Sequence, residues 1–423
     1  MLFERGTAQR IMRGALVEMS EKSDNWFVSH YNFLEEASRG LRFPKRVSIH
    51  DITLRDGEQQ ANIIFRKDEK IKIARMLDEA GVDRIEAGMP AVSPQDMEAV
   101  KAIAHEGLNA KVYCFARCMK RDVDLALACD VYGLEMEVPS SDHLLAHAYG
   151  WPEQKAIDLA VEATKYAAEH GLRVTFFTID STRASFDTCW RLINAVATQG
   201  HMDALSVVDT FGVCAPHAIS YFVKKIKERV DKPLEIHCHN DFGLALANTL
   251  AAVSAGVEVV HTTVNAIGER MGNASLDEVA MALKLLYGVE TGIKYEKLTP
   301  LSKLVQELSL VKMPPNKPIV GDGAFTTESG IVAGWWARLE EAGMPLEMFP
   351  FLPEFVGQGG VKVVLGKKSG RDSIYYKLKK LGLTADEKNI DAILMRVKTL
   401  AEDKKRVLTD EEFKSIVKEF KAY

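Results

Sequence analysis

At 423 residues, with 47% hydrophobic and 27% charged content, the chain has the make-up of a globular, enzyme-sized protein. A formal net charge of −5 argues against nucleic acid or an anionic membrane as a partner, since neither attracts an acidic surface. No apolar run reaches the roughly 18 residues needed to span a bilayer, and residues 1–10 lack the apolar core of a signal peptide. The six cysteines (114, 118, 129, 189, 214 and 238) show no CxxC spacing and read as reduced core thiols of a cytoplasmic protein.

Residues 1–45 form a mixed N-terminal extension. Trp26, Phe27, Tyr31, Phe33 and Leu34 are too apolar for a solvated tail, and are expected to pack on the following domain or on a second subunit of a homodimer. From Arg46 a strand–helix alternation runs eight times. The strand segments are Arg46–Leu54, Arg84–Met89, Lys111–Ala116, Tyr132–Val138, Arg173–Ile179, Leu205–Thr210, Leu234–His239 and Val259–Ala266. Helical spacing fills the intervals, as in Lys67–Ala80 with Ile73, Met76, Leu77 and Ala80 on one face, and in Ile157–Glu169. Glycines at 81, 171, 200 and 256 suit the ends of such helices. Eight βα units over about 240 residues point to an α/β fold, a (β/α)8 TIM barrel over 46–290. No Gly-rich dinucleotide loop follows the first strand, so an open doubly wound sheet is disfavoured. Residues 291–423 read as a linker and small, mostly helical C-terminal subdomains, with helical spacing in Ile390, Ile393, Val397 and Leu400.

In such barrels chemistry sits at the C-terminal strand ends, and the polar residues of this chain gather there. Strand one ends in Asp51-Ile-Thr-Leu-Arg55-Asp56-Gly-Glu58-Gln59, and strand two carries Glu86. Strand three ends at Arg117, and strand four carries Glu135 and Glu137. Strand five ends in Asp180-Ser-Thr-Arg183, and strand six in Asp209-Thr210. Strand seven ends in His237-Cys-His239-Asn-Asp241. Side chains alternate along a strand, so His237 and His239 point the same way and can both reach one divalent ion. Charged tips at Glu58, Arg117 and Arg183 are equally well explained as loop residues in water. Ser275 followed by Glu278 has the pattern of a helix cap.

The stretches Asp51–Gln59 and His237–Asp241, joined to Gly268-Glu-Arg-Met-Gly272-Asn273-Ala-Ser275, resemble the DRE-TIM metallolyase superfamily. The likeness is to its Claisen-condensing branch, the 2-isopropylmalate, homocitrate, citramalate and Re-type citrate synthases. Phe351–Gly357 and Leu365–Arg371 resemble that branch's post-barrel subdomains, while its leucine-sensing regulatory domain is expected to be absent. The resemblance implies that Asp56, His237 and His239 bind Mg²⁺, Mn²⁺ or Zn²⁺ with Asn273 close by. It further implies that Arg55 stabilises a developing alkoxide and that Thr210 holds the carboxylate of a 2-oxo acid. Gln59 and Glu86 are expected at the substrate, with Tyr113, Phe115, Thr175 and Phe177 on the pocket floor. Arg55 and Asp56 are neighbours, so both reach the mouth only if the strand ends or bulges there.

Two positions depart from the family pattern. Val332 stands where the synthases carry a post-barrel histidine, and Ile179 stands where they carry a carboxylate on strand five. Neither side chain can move a proton, so Glu137 and Glu328 are the nominated bases. The implied activity is metal-dependent condensation of an acyl-CoA, acetyl-CoA first, with a 2-oxo acid, releasing CoA and a 2-hydroxy-2-alkyl dicarboxylate. A metal-dependent C–C lyase on a hydroxy-acyl-CoA or 4-hydroxy-2-oxo acid is the alternative, and a barrel that binds without turnover is a third.

Overall fold

The computed structural model describes residues 21–420, so the expectation for residues 1–10 lies outside the described part. Two units are distinguished: one of His30–Met313, and one of residues 21–29 with residues 314–420.

In the first unit eight parallel strands close into a barrel in chain order: β1 Ser48–Asp51, β2 Arg84–Glu86, β3 Lys111–Arg117, β4 Gly133–Pro139, β5 Arg173–Ile179, β6 Ala204–Asp209, β7 Leu234–Cys238 and β8 Val259–Thr262. β8 returns to β1 in register, with His261 opposite His50. The expected strands are all present, though several are shorter. β1 stops at Asp51 because the chain folds over itself, with the amides of Arg55 and Gly57 both donating to the Ile52 carbonyl at 3.1 Å. That turn resolves the parity difficulty at Arg55 and Asp56.

Strand alternation separates two buried faces. Ile49, Ile85, Cys114, Leu134, Met136, Val174, Phe176, Val207, Leu234, Ile236 and Val260 are buried, and they occupy the positions between the interior-facing ones. The other face points into the barrel, as contacts between non-neighbouring strands show. Arg84 of β2 donates to Glu235 of β7 at 2.7 Å, and Thr175 of β5 reaches the same carboxylate at 3.2 Å. Most barrels fill this space with branched apolar layers. Here the interior is largely polar and charged.

The barrel unit runs past the expected boundary at 290. The helix Leu298–Ser309 stays with it because Asn265, just beyond β8, donates to the Ser302 carbonyl at 3.0 Å. In the second unit, Ile390, Ile393, Val397 and Ala401 bury one face of the helix Ile390–Lys404. Trp336 is buried and its indole donates to the Tyr376 hydroxyl at 3.1 Å, whereas Trp335 is exposed. Trp26 packs its ring 5.7 Å from Phe355 in the same unit. Among the described residues no helix is long and apolar enough to cross a membrane.

Candidate active site

The turn after β1 delivers Arg55 and Asp56 to the barrel mouth, β7 delivers His237, and His239 follows one residue past the strand end. Asn273 arrives from the loop after β8, pairing as an isolated bridge with His239. Two glycines make that loop possible. Gly272 has φ +78, and a Cβ there would lie 1.8 Å from the Ala266 carbonyl oxygen. At Gly268 (φ +154) a Cβ would lie 2.2 Å from Asn273 Nδ2 and 2.8 Å from Asp56 Oδ1. The approach to Asn273 and Asp56 therefore excludes a side chain at Gly268, and the loop's own backbone excludes one at Gly272.

Asp56, His237 and His239 are buried, and their ligand atoms lie within 4.8 Å of one another. The two imidazole Nε2 atoms are 3.1 Å apart, and Asp56 Oδ2 is 3.9 Å from His239 Nε2. Adjacent ligands at about 2.1 Å around an octahedral ion sit roughly 3.0 Å apart, so the histidine pair has the right spacing. Burial holds both imidazoles below their ordinary range, which leaves them neutral with lone pairs to share. Burial acts on Asp56 in the opposite sense, but Arg55, both histidines and Asn273 outweigh it and keep the carboxyl well below the usual range. Asn273 Nδ2 donates to Asp56 Oδ1 at 2.7 Å, while its buried Oδ1 has no partner. The donor set fits a divalent cation.

Arg55 is clamped beside this cluster. Its Nε donates to Glu86 at 2.6 Å, its Nη1 to Asp56 at 2.8 Å and to Gln59 at 3.3 Å, and its guanidinium lies 4.0 Å from the Phe115 ring centre. Nη2 is buried without a partner. Burial pushes Glu86 up to about 7 although Arg55 opposes it. Glu137, at the end of β4, is likewise pushed up to about 7 by burial, against Arg55 and Arg117. The Thr210 hydroxyl accepts the Asp180 amide at 2.7 Å, which directs its own proton elsewhere. Arg270 ties the loops after β6, β7 and β8 together, bonding Asp241 through Nε at 2.9 Å and the Thr210 carbonyl through Nη2 at 2.6 Å.

Not every sequence-predicted residue reaches this place. Tyr113 and Thr175 sit deeper in the barrel: Thr175 bonds Glu235, and the Tyr113 ring packs 5.1 Å from His50 and beside Tyr132. Strand parity gave their face correctly but not their depth. Phe115 and Phe177 do line the site, Phe177 lying edge-on to His237 at 5.2 Å. Glu58, Arg117 and Arg183 have structural partners: Glu58 binds Lys70 and the Phe65 amide, Arg117 binds Asp122, and Arg183 binds Asp180. Ser275 opens the helix Leu276–Tyr287, with its hydroxyl donating to Asp277 at 2.5 Å. Glu328 belongs to the second unit, where its carboxylate accepts the Lys368 amide at 2.9 Å, and Val332 lies in the first turn of the helix Gly330–Glu341. The polar floor below the mouth, from His50, Glu235 and His261, was missed. Glu235 was within reach of the parity argument, two residues before His237 on the same face.

Comparison with known proteins agrees with this geometry. Residues 46–305 match the HMGL-like family, and residues 319–405 match the homocitrate synthase post-HMGL domain-like family. A homocitrate synthase of Methanopyrus kandleri is 44% identical over 386 residues, covering 91% of this chain and 95% of the relative. A 2-isopropylmalate synthase of Methanocaldococcus jannaschii is 42% identical over 390 residues, 91% of this chain and 74% of the relative. An (R)-citramalate synthase of the same organism is 42% identical over 373 residues, 88% of this chain and 74% of the relative. Among solved structures, an HMG-CoA lyase of Bacillus subtilis superposes with a TM-score of 0.59 at 20% identity, covering 65% of this chain and 98% of the lyase, a likeness of fold. The chain therefore belongs to the HMGL-like family, in the Claisen-condensing branch of DRE-TIM enzymes that join an acyl-CoA to a 2-oxo acid.

Proposed function

We propose that this chain is a divalent-metal-dependent synthase whose acceptor is a 2-oxo monocarboxylic acid with a small apolar side chain, and whose donor is acetyl-CoA. The observation that carries the reading is the buried Asp56, His237 and His239 set, with two neutral imidazoles 3.1 Å apart and the Arg55 guanidinium alongside. A Mg²⁺, Mn²⁺ or Zn²⁺ ion held there would supply Lewis acidity toward the ketone. Arg55 offers its unpaired Nη2 to the oxygen that gains charge as the C–C bond forms. Thr210 donates its free proton to the oxo-acid carboxylate. Glu137 takes the proton from the acyl methyl, since a carboxyl raised to about 7 is matched to work near neutrality. Glu328 is the weaker nominee because the Lys368 amide already occupies it. The resulting carbanion adds to the ketone carbon, the alkoxide is protonated, and water cleaves the thioester to release CoA.

The acceptor class follows from the wall beside Arg55. Phe115, Phe177 and Val208, with Met89 and Ile179 packed against them, form an apolar cluster. Arg117 and Arg183, the nearby cations able to grip a distal carboxylate, are already paired with Asp122 and Asp180. A cytoplasmic homodimer completes the reading, supported by the unpaired state of all six cysteines and by exposed Tyr31 and Leu34. Thiol release from acetyl-CoA across a panel of 2-oxo acids, with and without chelator, tests it. Metal-dependent release that favours short aliphatic oxo acids is expected. No metal-dependent release with any oxo acid would overturn the activity, and a preference for 2-oxoglutarate would overturn the acceptor class.

A further inference from the structure

Directly beneath the mouth lies a second set of converging ligand atoms. His50 of β1, Glu135 of β4, Glu235 of β7 and His261 of β8 are each 0% exposed. Four donor atoms meet: His50 Nδ1 is 3.3 Å from Glu135 Oε1 and 3.8 Å from Glu235 Oε2, while His261 Nε2 is 2.9 Å from Glu235 Oε2 and 3.7 Å from Glu135 Oε1. Ligands at about 2.0–2.1 Å around a tetrahedral ion are separated by roughly 3.3–3.4 Å, which these four edges bracket.

Hydrogen bonding does not account for the cluster. Of the four edges only the His261–Glu235 contact is a hydrogen bond. Both ring nitrogens of His50, both carboxylate oxygens of Glu135 and Nδ1 of His261 are buried and make no hydrogen bond, though His50 Nδ1 and Glu135 Oε1 face each other across the cluster. Orphaned groups of this kind are costly, and so many at one point call for an occupant. The remaining oxygen of Glu235 is fixed from behind by Arg84 and Thr175, the kind of outer support that orients a metal-binding carboxylate.

We infer that His50, Glu135, Glu235 and His261 form a second, tetrahedral divalent-cation site of the zinc type, sealed within the barrel below the catalytic mouth. The ion cross-links β1, β4, β7 and β8. It also forms the floor under His237, whose ring lies 5.6 Å from that of His261. Being sealed, the site fills as the barrel folds and then exchanges slowly, unlike the mouth.

Elemental analysis of protein produced with added zinc tests the inference. Two equivalents per chain are expected, of which chelator dialysis of the folded protein removes one. The His239→Ala protein should retain one equivalent, with X-ray absorption showing about four nitrogen and oxygen neighbours near 2.0 Å. Glu135→Gln and His50→Phe should each lose that inner equivalent. The His239→Ala count reads the inner site even if those two variants fail to fold, and it does so whether or not the condensation reading holds. Metal-free His239→Ala protein would overturn the inference and assign the cluster to protons alone. An inner equivalent that survives both Glu135→Gln and His50→Phe in folded protein would overturn the ligand assignment.

Discussion

Replacing Arg55 by lysine probes the transition-state role most sharply, because charge is kept while geometry is lost. The guanidinium spans Glu86 at 2.6 Å and Asp56 at 2.8 Å while leaving Nη2 free in the site. A lysine ammonium is a point donor on a flexible stem and cannot serve both carboxylates and the substrate oxygen together. The ion pairs are charge-assisted bonds of about 1.5–3 kcal/mol each, so some destabilisation is expected. The larger effect is kinetic. Losing one preorganised donor to a developing oxyanion costs roughly 10²–10³ in kcat, about 2.7–4 kcal/mol. Asp56, His237 and His239 remain, so metal content at the mouth should be unchanged and KM for the oxo acid should move little. Steady-state thiol release with saturating acetyl-CoA reads kcat and KM separately. A kcat within about tenfold of the parent, or a loss confined to KM, would refute the assignment of Arg55 to the transition state.

Other substitutions give equally direct outcomes. His237→Ala or His239→Ala should lose the chelator-sensitive metal equivalent, because two remaining ligands compete poorly with water; unchanged metal content would contradict the site. Glu137→Gln should slow turnover by at least roughly a hundredfold with oxo-acid affinity little changed. Since burial raises Glu137 to about 7 and a base must be deprotonated to act, the parent rate should rise with pH through about 7 and level off above it. The Gln variant should lack that limb, and its persistence would place the base elsewhere. Gly272→Ala should lower Tm and activity together, as its Cβ meets the Ala266 carbonyl at 1.8 Å and φ is +78; strain there is of order 1–3 kcal/mol, and an unchanged Tm would show that the loop can yield.

The barrel was legible because strand and helix periods alternate eight times, each with its own spacing. The mouth was legible because Asp56, His237, His239 and Asn273 fall in ordered local motifs whose positions at strand ends are fixed by the fold. Depth was not legible. Tyr113 and Thr175 share the inward face with Phe115 and Phe177, but only the closure of the sheet, with its staggered register, shows which layer each occupies. The buried set of His50, Glu235 and His261 escaped notice because each sits within a short strand, outside any local motif. Its meaning arises only when four strands, far apart in sequence, meet inside the barrel. The late boundary of the barrel unit was hidden for a similar reason, since the tie between Asn265 and Ser302 is tertiary.

On the proposed reading, condensation depends on an ion held by Asp56, His237 and His239. Chelator-dialysed protein can be titrated with divalent metal while CoA release is followed. The dialysed protein should be inactive, activity should return in proportion to the metal rebound, and the His239→Ala protein should gain nothing over the same range. Full activity in the dialysed protein, or equal recovery in the His239→Ala protein, would contradict it.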